Sequence, residues 1–288
     1  MKLISFTRLG RTGFGAVVKG GVADLTSVIA PEITNLRSLL STAGGLDAAK
    51  VLLKKRSADF AFSDLTLLPV VPDAGKILCV GLNYETHRAE TKRPEAQHPT
   101  MFTRYADSQI AHGQAMIKPF VSEKLDFEGE LAIIIGKGGR YIAEVDAMAH
   151  VAGYACYNDG TARDWQKHTH QFSPGKTFPS TGGFGPWMLT ADEVDDYRTL
   201  SIQTRLNGEV MQNASLSDLI FPIERLIAYI SSYTPLSPGD VILSGTPGGV
   251  GDRREPPVYM KAGDLIEVEI GPLGCLSNVV ADEKLDTP

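Results

Sequence analysis

Cysteine is scarce in this chain of 288 residues: Cys79, Cys156 and Cys275 are odd in number, widely spaced and set among apolar neighbours. That excludes a disulfide framework and a zinc cluster, and it leaves reduced, buried thiols and an expected cytoplasmic location. No apolar run approaches the ~18 residues that a membrane span needs. Met1-Lys2-Leu3-Ile4-Ser5-Phe6 is soon followed by Arg8 and Arg11, so no uninterrupted apolar segment of a secretion signal is expected. Dense Lys/Arg tracts are missing too, and a net charge of −6 argues against nucleic acid as a general partner. Internal repeats and low-complexity tracts are also absent. What remains, 43% apolar and 22% charged residues, is ordinary globular composition with enough chain for a full core.

The first seventy residues read differently from the rest. A short strand-like start is followed by a turn at Gly13-Phe14-Gly15, and the spacing predicts helices near 35–42 and 48–56. Leu65-Thr66-Leu67-Leu68-Pro69-Val70-Val71-Pro72 is an extended, proline-punctuated crossing, which places a boundary between a small unit, 1–70, and a larger one, 71–288. Beyond it the pattern is short strands and tight turns. Strands are expected at 77–81, 240–243, 265–270 and 275–280. Asn207-Gly208 marks a hairpin through a type I′ turn. Pro222 opens a helix whose apolar positions Ile223, Leu226, Ile227 and Ile230 share one face. Without a regular βαβ rhythm, the fold class is α+β and β-dominated.

Glu128 and Glu130 precede the apolar run Ala132-Ile133-Ile134-Ile135, which reads as a buried strand, so both project to one side. Like charges at the edge of a core repel, and a hard divalent cation keeps both ionised. Asp159, in Tyr157-Asn158-Asp159-Gly160, would add a third oxygen ligand of the kind Mg²⁺ favours, with coordination left for water or substrate. The solvent face of an amphipathic strand is the alternative, and it is preferred for the similarly spaced Glu267 and Glu269.

Four further features have two readings each. His87 and Glu90 stand at i and i+3 of a potential helical turn, where the carboxylate would orient a basic imidazole or merely form an exposed pair. His168 and His170 lack nearby partners at metal-ligand spacing and read as surface polar residues. Gly175-Lys176-Thr177 fails as a phosphate loop, because His170 stands where the first Gly is required and Pro174 intrudes; Lys176 is left as a cation for a substrate oxyanion. Gly245-Thr246-Pro247-Gly248-Gly249-Val250-Gly251 is either a plain turn or a loop whose amides and Thr246 hydroxyl bind a carboxylate.

Six stretches in fixed order resemble the fumarylacetoacetate hydrolase family over essentially all of 76–282. They are Gly81-Leu82-Asn83-Tyr84 with His87 and Glu90; Asp126-Phe127-Glu128-Gly129-Glu130-Leu131; the run from Asn158 to Gln166; Gly175-Lys176; Phe184-Gly185-Pro186-Trp187; and Pro238-Gly239-Asp240 leading into Gly245-Thr246-Pro247. The resemblance implies a β-roll-like catalytic domain behind a small N-terminal domain, and a homodimer. It implies metal ligands at Glu128, Glu130 and Asp159, a His87–Glu90 dyad, an active-site cation at Lys176, and substrate contacts from Arg163, Gln166 and Thr246. The implied metal is Mg²⁺, with Mn²⁺ or Ca²⁺ as substitutes. One departure stands out. Many members carry a Lys-Pro pair after a Phe, but here the chain reads Met101-Phe102-Thr103-Arg104-Tyr105, and Arg104 offers a forked donor suited to a substrate carboxylate. The insertion 252–257 would line the mouth of the site or form a surface loop.

The expected activity is hydrolysis of a carbon–carbon bond in a 2,4-diketo acid of acylpyruvate or fumarylpyruvate type, with His87 deprotonating the attacking water. The alternatives are oxaloacetate-type decarboxylation or 2-hydroxymuconate-type isomerisation or hydration by the same family, and a non-catalytic metal-binding scaffold. The expected partner is a small 2-oxo acid.

Overall fold

A computed structural model describes residues 1–92 and 94–284, so residue 93 and the last four residues of the expected 71–288 unit lie outside the described residues. Its frame is an eleven-stranded sheet. In spatial order this runs Gly21–Asp24, Arg11–Val18, Lys2–Arg8, Gly182–Thr190, Val151–Asp159, Gly129–Ile135, Val241–Leu243, Ile77–Gly81 and Thr100–Arg104, with Thr66–Leu68 and Gln109–Ile110 joined at the side. A five-stranded sheet of Glu209–Ser215, Ser201–Leu206, Leu265–Glu269, Cys275–Asp282 and Met116–Lys118 packs beside it. Pairing is mostly antiparallel, and the β-dominated α+β class holds. Among the described residues no helix is long and apolar enough to cross a membrane.

The run Gly129–Ile135 is buried at every position because both edges are paired and both faces covered. Successive side chains on a strand point to opposite faces. Leu131, Ile133 and Ile135 accordingly join the cluster containing Leu226, Ile227 and Ile230 of the helix Ile223–Tyr233. Ala132 and Ile134 face the other way, into a cluster with Leu3, Phe14, Leu36 and Leu39. Glu130 shares that second face.

The sheet runs unbroken across residue 70. Lys2 pairs with Leu189 and Leu3 with Met188, so the opening strand is bonded directly to Gly182–Thr190. The expected helices are Leu36–Ser41, capped by the Asn35 side chain on the Ser38 amide, and Gly45–Leu53. The Asn-Gly hairpin forms with φ of 53° at Asn207 and 83° at Gly208, the two positive angles its turn demands.

Candidate active site

Antiparallel register brings the three acidic residues together. Gly129 lies opposite Asn158, so Glu128 and Asp159 are cross-strand neighbours, and the Asp159 amide donates to the Glu128 carbonyl at 2.8 Å. Glu130 stands diagonally across from Asp159. Carboxylate oxygens of all three lie within 4.8 Å of one another, and all three side chains are buried.

Their electrostatic settings differ. Glu128 accepts a hydrogen bond from Lys176 Nζ at 2.5 Å and forms an ion pair with Arg163, whose Nη2 lies 2.7 Å away. Burial alone would raise its carboxyl, but Arg163, Lys176 and His87 together outweigh that and hold it at about 2. Asp159 takes Lys176 Nζ at 2.5 Å and Arg104 Nη1 at 2.6 Å. Glu130, by contrast, has no ion pair among the described residues and accepts only the Gly245 amide, at 2.8 Å. Burial, then Asp159 and Glu128, push its carboxyl well above the usual carboxylate range. The three groups fit a hard divalent cation. The donors are all oxygen, they are preorganised by sheet register, and the one lacking a cationic partner is the one a metal would keep ionised.

His87 and Glu90 lie on the short helix Glu85–Glu90, and His87 Nδ1 meets Glu90 Oε1 at 2.6 Å. His87 is buried yet reaches a cavity of about 590 Å³ whose wall also includes Glu128, Glu130, Arg163, Gln166, Lys176 and Thr246. With Nδ1 committed to Glu90, Nε2 is the ring nitrogen left to serve the cavity.

The structure places Arg104 differently from the sequence reading. Arg104 is fully buried behind Asp159 and is not on the cavity wall. Besides Asp159, its nitrogens reach the Gly160 carbonyl at 2.9 Å, Thr181 Oγ1 at 2.8 Å and Ser108 Oγ at 3.3 Å. Its fork is used within the protein, to orient a carboxylate of the trio instead of a substrate carboxylate. Three amides of 245–251 go to the chain's own carboxylates, and that of Gly248 donates to Thr86 Oγ1 at 3.0 Å. Gly245 donates to Glu130, Gly249 to Glu90 at 2.9 Å and Gly251 to Asp126 at 2.8 Å. The Thr246 hydroxyl accepts from Gln212 Nε2 at 2.7 Å. One loop thereby fixes both the dyad and a metal-ligand candidate.

Arg163 lines the cavity but is anchored on three sides, with Nε on Asp126 Oδ2 at 2.7 Å, Nη1 on Gln166 Oε1 at 3.0 Å, and Nη2 on Glu128. Asp126 and Gln212 escaped the sequence reading. Asp126 could have been found as an acidic residue inside a quoted motif beside a buried strand. Gln212 leaves no local signal, because its role is to bridge Gly129 and Thr246 across the fold. Glu267 and Glu269 instead pair with Arg205, as the solvent-face reading holds. His168 and His170 are exposed and stand on the cavity rim, as does Asp252 of the insertion.

The sequence model for the C-terminal region of fumarylacetoacetate (FAA) hydrolase matches residues 76–281. The chain belongs to the fumarylacetoacetate hydrolase family. It is 39% identical over 264 residues to a mitochondrial oxaloacetate tautomerase of Xenopus laevis, covering 91% of this chain and 83% of that protein. Its fold matches the maleylpyruvate hydrolase of Sphingobium sp. SYK-6, solved with manganese(II) and pyruvate, with a TM-score of 0.83 and 28% identity over 99% of this chain and 100% of that one. A 5-carboxymethyl-2-hydroxymuconate delta-isomerase from Mycobacterium smegmatis matches with a TM-score of 0.77 and 26% identity, covering 99% and 100% of the two chains. The hydrolase and the isomerase thus share this fold, and the family is one of enzymes.

Proposed function

We propose that this chain moves a proton between C3 and the 2-oxo oxygen of a small 2-oxo acid, interconverting keto and enol forms, with oxaloacetate the first substrate to assay. The observation behind this is that a tethered imidazole and two of the three carboxylates, Glu128 and Glu130, open onto one cavity, with Asp159 buried beside them. The relative of Xenopus laevis named as an oxaloacetate tautomerase supports the same chemistry.

Glu128, Glu130 and Asp159 would hold a divalent cation, Mg²⁺ or Mn²⁺, which when bound would supply a Lewis acid that acidifies protons beside a carbonyl. His87 Nε2 removes the C3 proton while Glu90 stabilises the imidazolium through Nδ1. Lys176 stays protonated, since Asp159 and Glu128 outweigh the effect of its burial, and it can donate toward the oxygen on which negative charge develops. His87 then returns the proton to that oxygen, giving the enol; the reverse path restores the ketone.

A second reading, hydrolysis of a 2,4-diketo acid to pyruvate and a carboxylic acid, is favoured by the same dyad, because the base that takes a C3 proton can equally take one from water. The two are separated by assays with Mg²⁺, following enol absorbance of oxaloacetate and pyruvate release from a panel of 2,4-diketo acids. The expected outcome is faster enol–keto conversion, no pyruvate release, and a loss of about 10²–10⁴-fold in kcat for His87→Ala. Pyruvate release by the unmodified protein and its loss in His87→Ala would instead establish the hydrolase.

A further inference from the structure

The cavity has a second pole. Four Lys or Arg side chains line it among the described residues: Arg163, Lys167, Lys176 and Arg253. Three are committed. Arg163 is held by Asp126, Gln166 and Glu128. Lys176 bridges Glu128 and Asp159. Lys167 Nζ takes both oxygens of Asp252, at 2.8 and 2.9 Å, and so ties the segment after Gln166 to the insertion across the cavity mouth.

Arg253 is different. Its guanidinium makes no hydrogen bond among the described residues. Its one carboxylate neighbour, Asp252, lies 3.6 Å from Nε and is already occupied by Lys167 and by the Tyr259 hydroxyl at 2.9 Å. The side chain is 39% exposed, so it stands in water at the mouth. Its position is nonetheless built. Arg254 Nη2 bonds the Met211 carbonyl at 2.7 Å and its Nε the Gly249 carbonyl at 3.2 Å, pinning the backbone next to Arg253.

We propose that Arg253 receives a second carboxylate of the substrate, so that this site selects dicarboxylic 2-oxo acids. This rests on the 2-oxo acid reading of the inner end. An unspent guanidinium fork matches a carboxylate in geometry and charge, and none of the committed cations can turn to one without abandoning a buried partner. The cavity thus carries an acidic inner wall for a metal-chelating head and a guanidinium at its mouth for an anionic tail.

The test is calorimetry with Mg²⁺ present, using oxalate, 2-oxoglutarate and 2-oxopentanoate; the last two differ only in whether the far carbon is a carboxylate or a methyl group. The unmodified protein should bind 2-oxoglutarate at least about tenfold tighter than 2-oxopentanoate. Arg253→Gln should weaken 2-oxoglutarate roughly tenfold to a hundredfold, the range of a lost charge-assisted hydrogen bond, and leave oxalate and 2-oxopentanoate unchanged. Arg253→Lys should recover part of the loss. If oxalate still binds but Arg253→Gln weakens both oxo acids equally or neither, the assignment to Arg253 is overturned and the inner site stands. If oxalate fails to bind the unmodified protein, the 2-oxo acid reading falls and takes this assignment with it.

Discussion

Glu128 and Glu130 are two residues apart, yet the fold treats them oppositely: one is surrounded by cations and held at about 2, and the other is left without one and driven upward by burial. The sequence put Glu128 and Glu130 on one side because period-2 geometry and a buried strand are local facts, whereas the approach of Asp159 depends on strand pairing. It could not reveal where Arg104 points, since that depends on the depth of one strand end beneath another, and Arg104 proves to be a buried partner of Asp159. A residue outside the site gives a pH-dependent consequence. His112 accepts the Ser277 amide at Nδ1, 3.1 Å away, and burial lowers its basicity. A depressed folded value means that its contribution is intact above the ordinary histidine value of about 6.5 and is lost as pH falls through the lower folded value. The melting temperature should therefore decline between pH 7 and pH 5, by an amount worth under about 1 kcal/mol from this residue. His112→Asn keeps an acceptor that does not titrate and should flatten that slope. Identical slopes in both proteins would remove His112 as a cause.

Among the elements, the loop 245–251 links the two halves of the chemistry. The sequence showed the loop and its glycines but not their purpose, because the acceptors Glu90, Glu130 and Asp126 arrive from other elements. Gly249 has φ of +104°, and a Cβ there would meet the Met211 carbonyl oxygen at 2.2 Å, so any side chain must displace the loop. Gly249→Ala should cost about 1–3 kcal/mol of stability and, by releasing Glu90 from its amide, lower kcat about tenfold or more. Thermal melts and enol–keto assays on the same preparation check both. A destabilised protein with unchanged kcat would show that the loop supports the fold without positioning the dyad. The helix Ile223–Tyr233 and the Asn-Gly hairpin were legible in advance because their signals, apolar spacing and turn chemistry, are carried within the element itself.

For the whole molecule, the proline-rich crossing at 65–72 marks a change of local pattern, while the opening strand Lys2–Arg8 is bonded into the sheet that carries Asp159 through Gly182–Thr190. Pairing between segments so far apart in the chain leaves no trace in local periodicity. The sheet order is what makes the site, since Val151–Asp159 and Gly129–Ile135 must be neighbours for Asp159 to meet Glu128 and Glu130. Their convergence on one divalent cation is the central claim, and diffraction data collected at the manganese absorption edge from crystals soaked in Mn²⁺ test it most directly. One strong anomalous peak is expected within about 2.6 Å of oxygens from Glu128, Glu130 and Asp159 together. A peak held elsewhere, or none at saturating Mn²⁺, would contradict it.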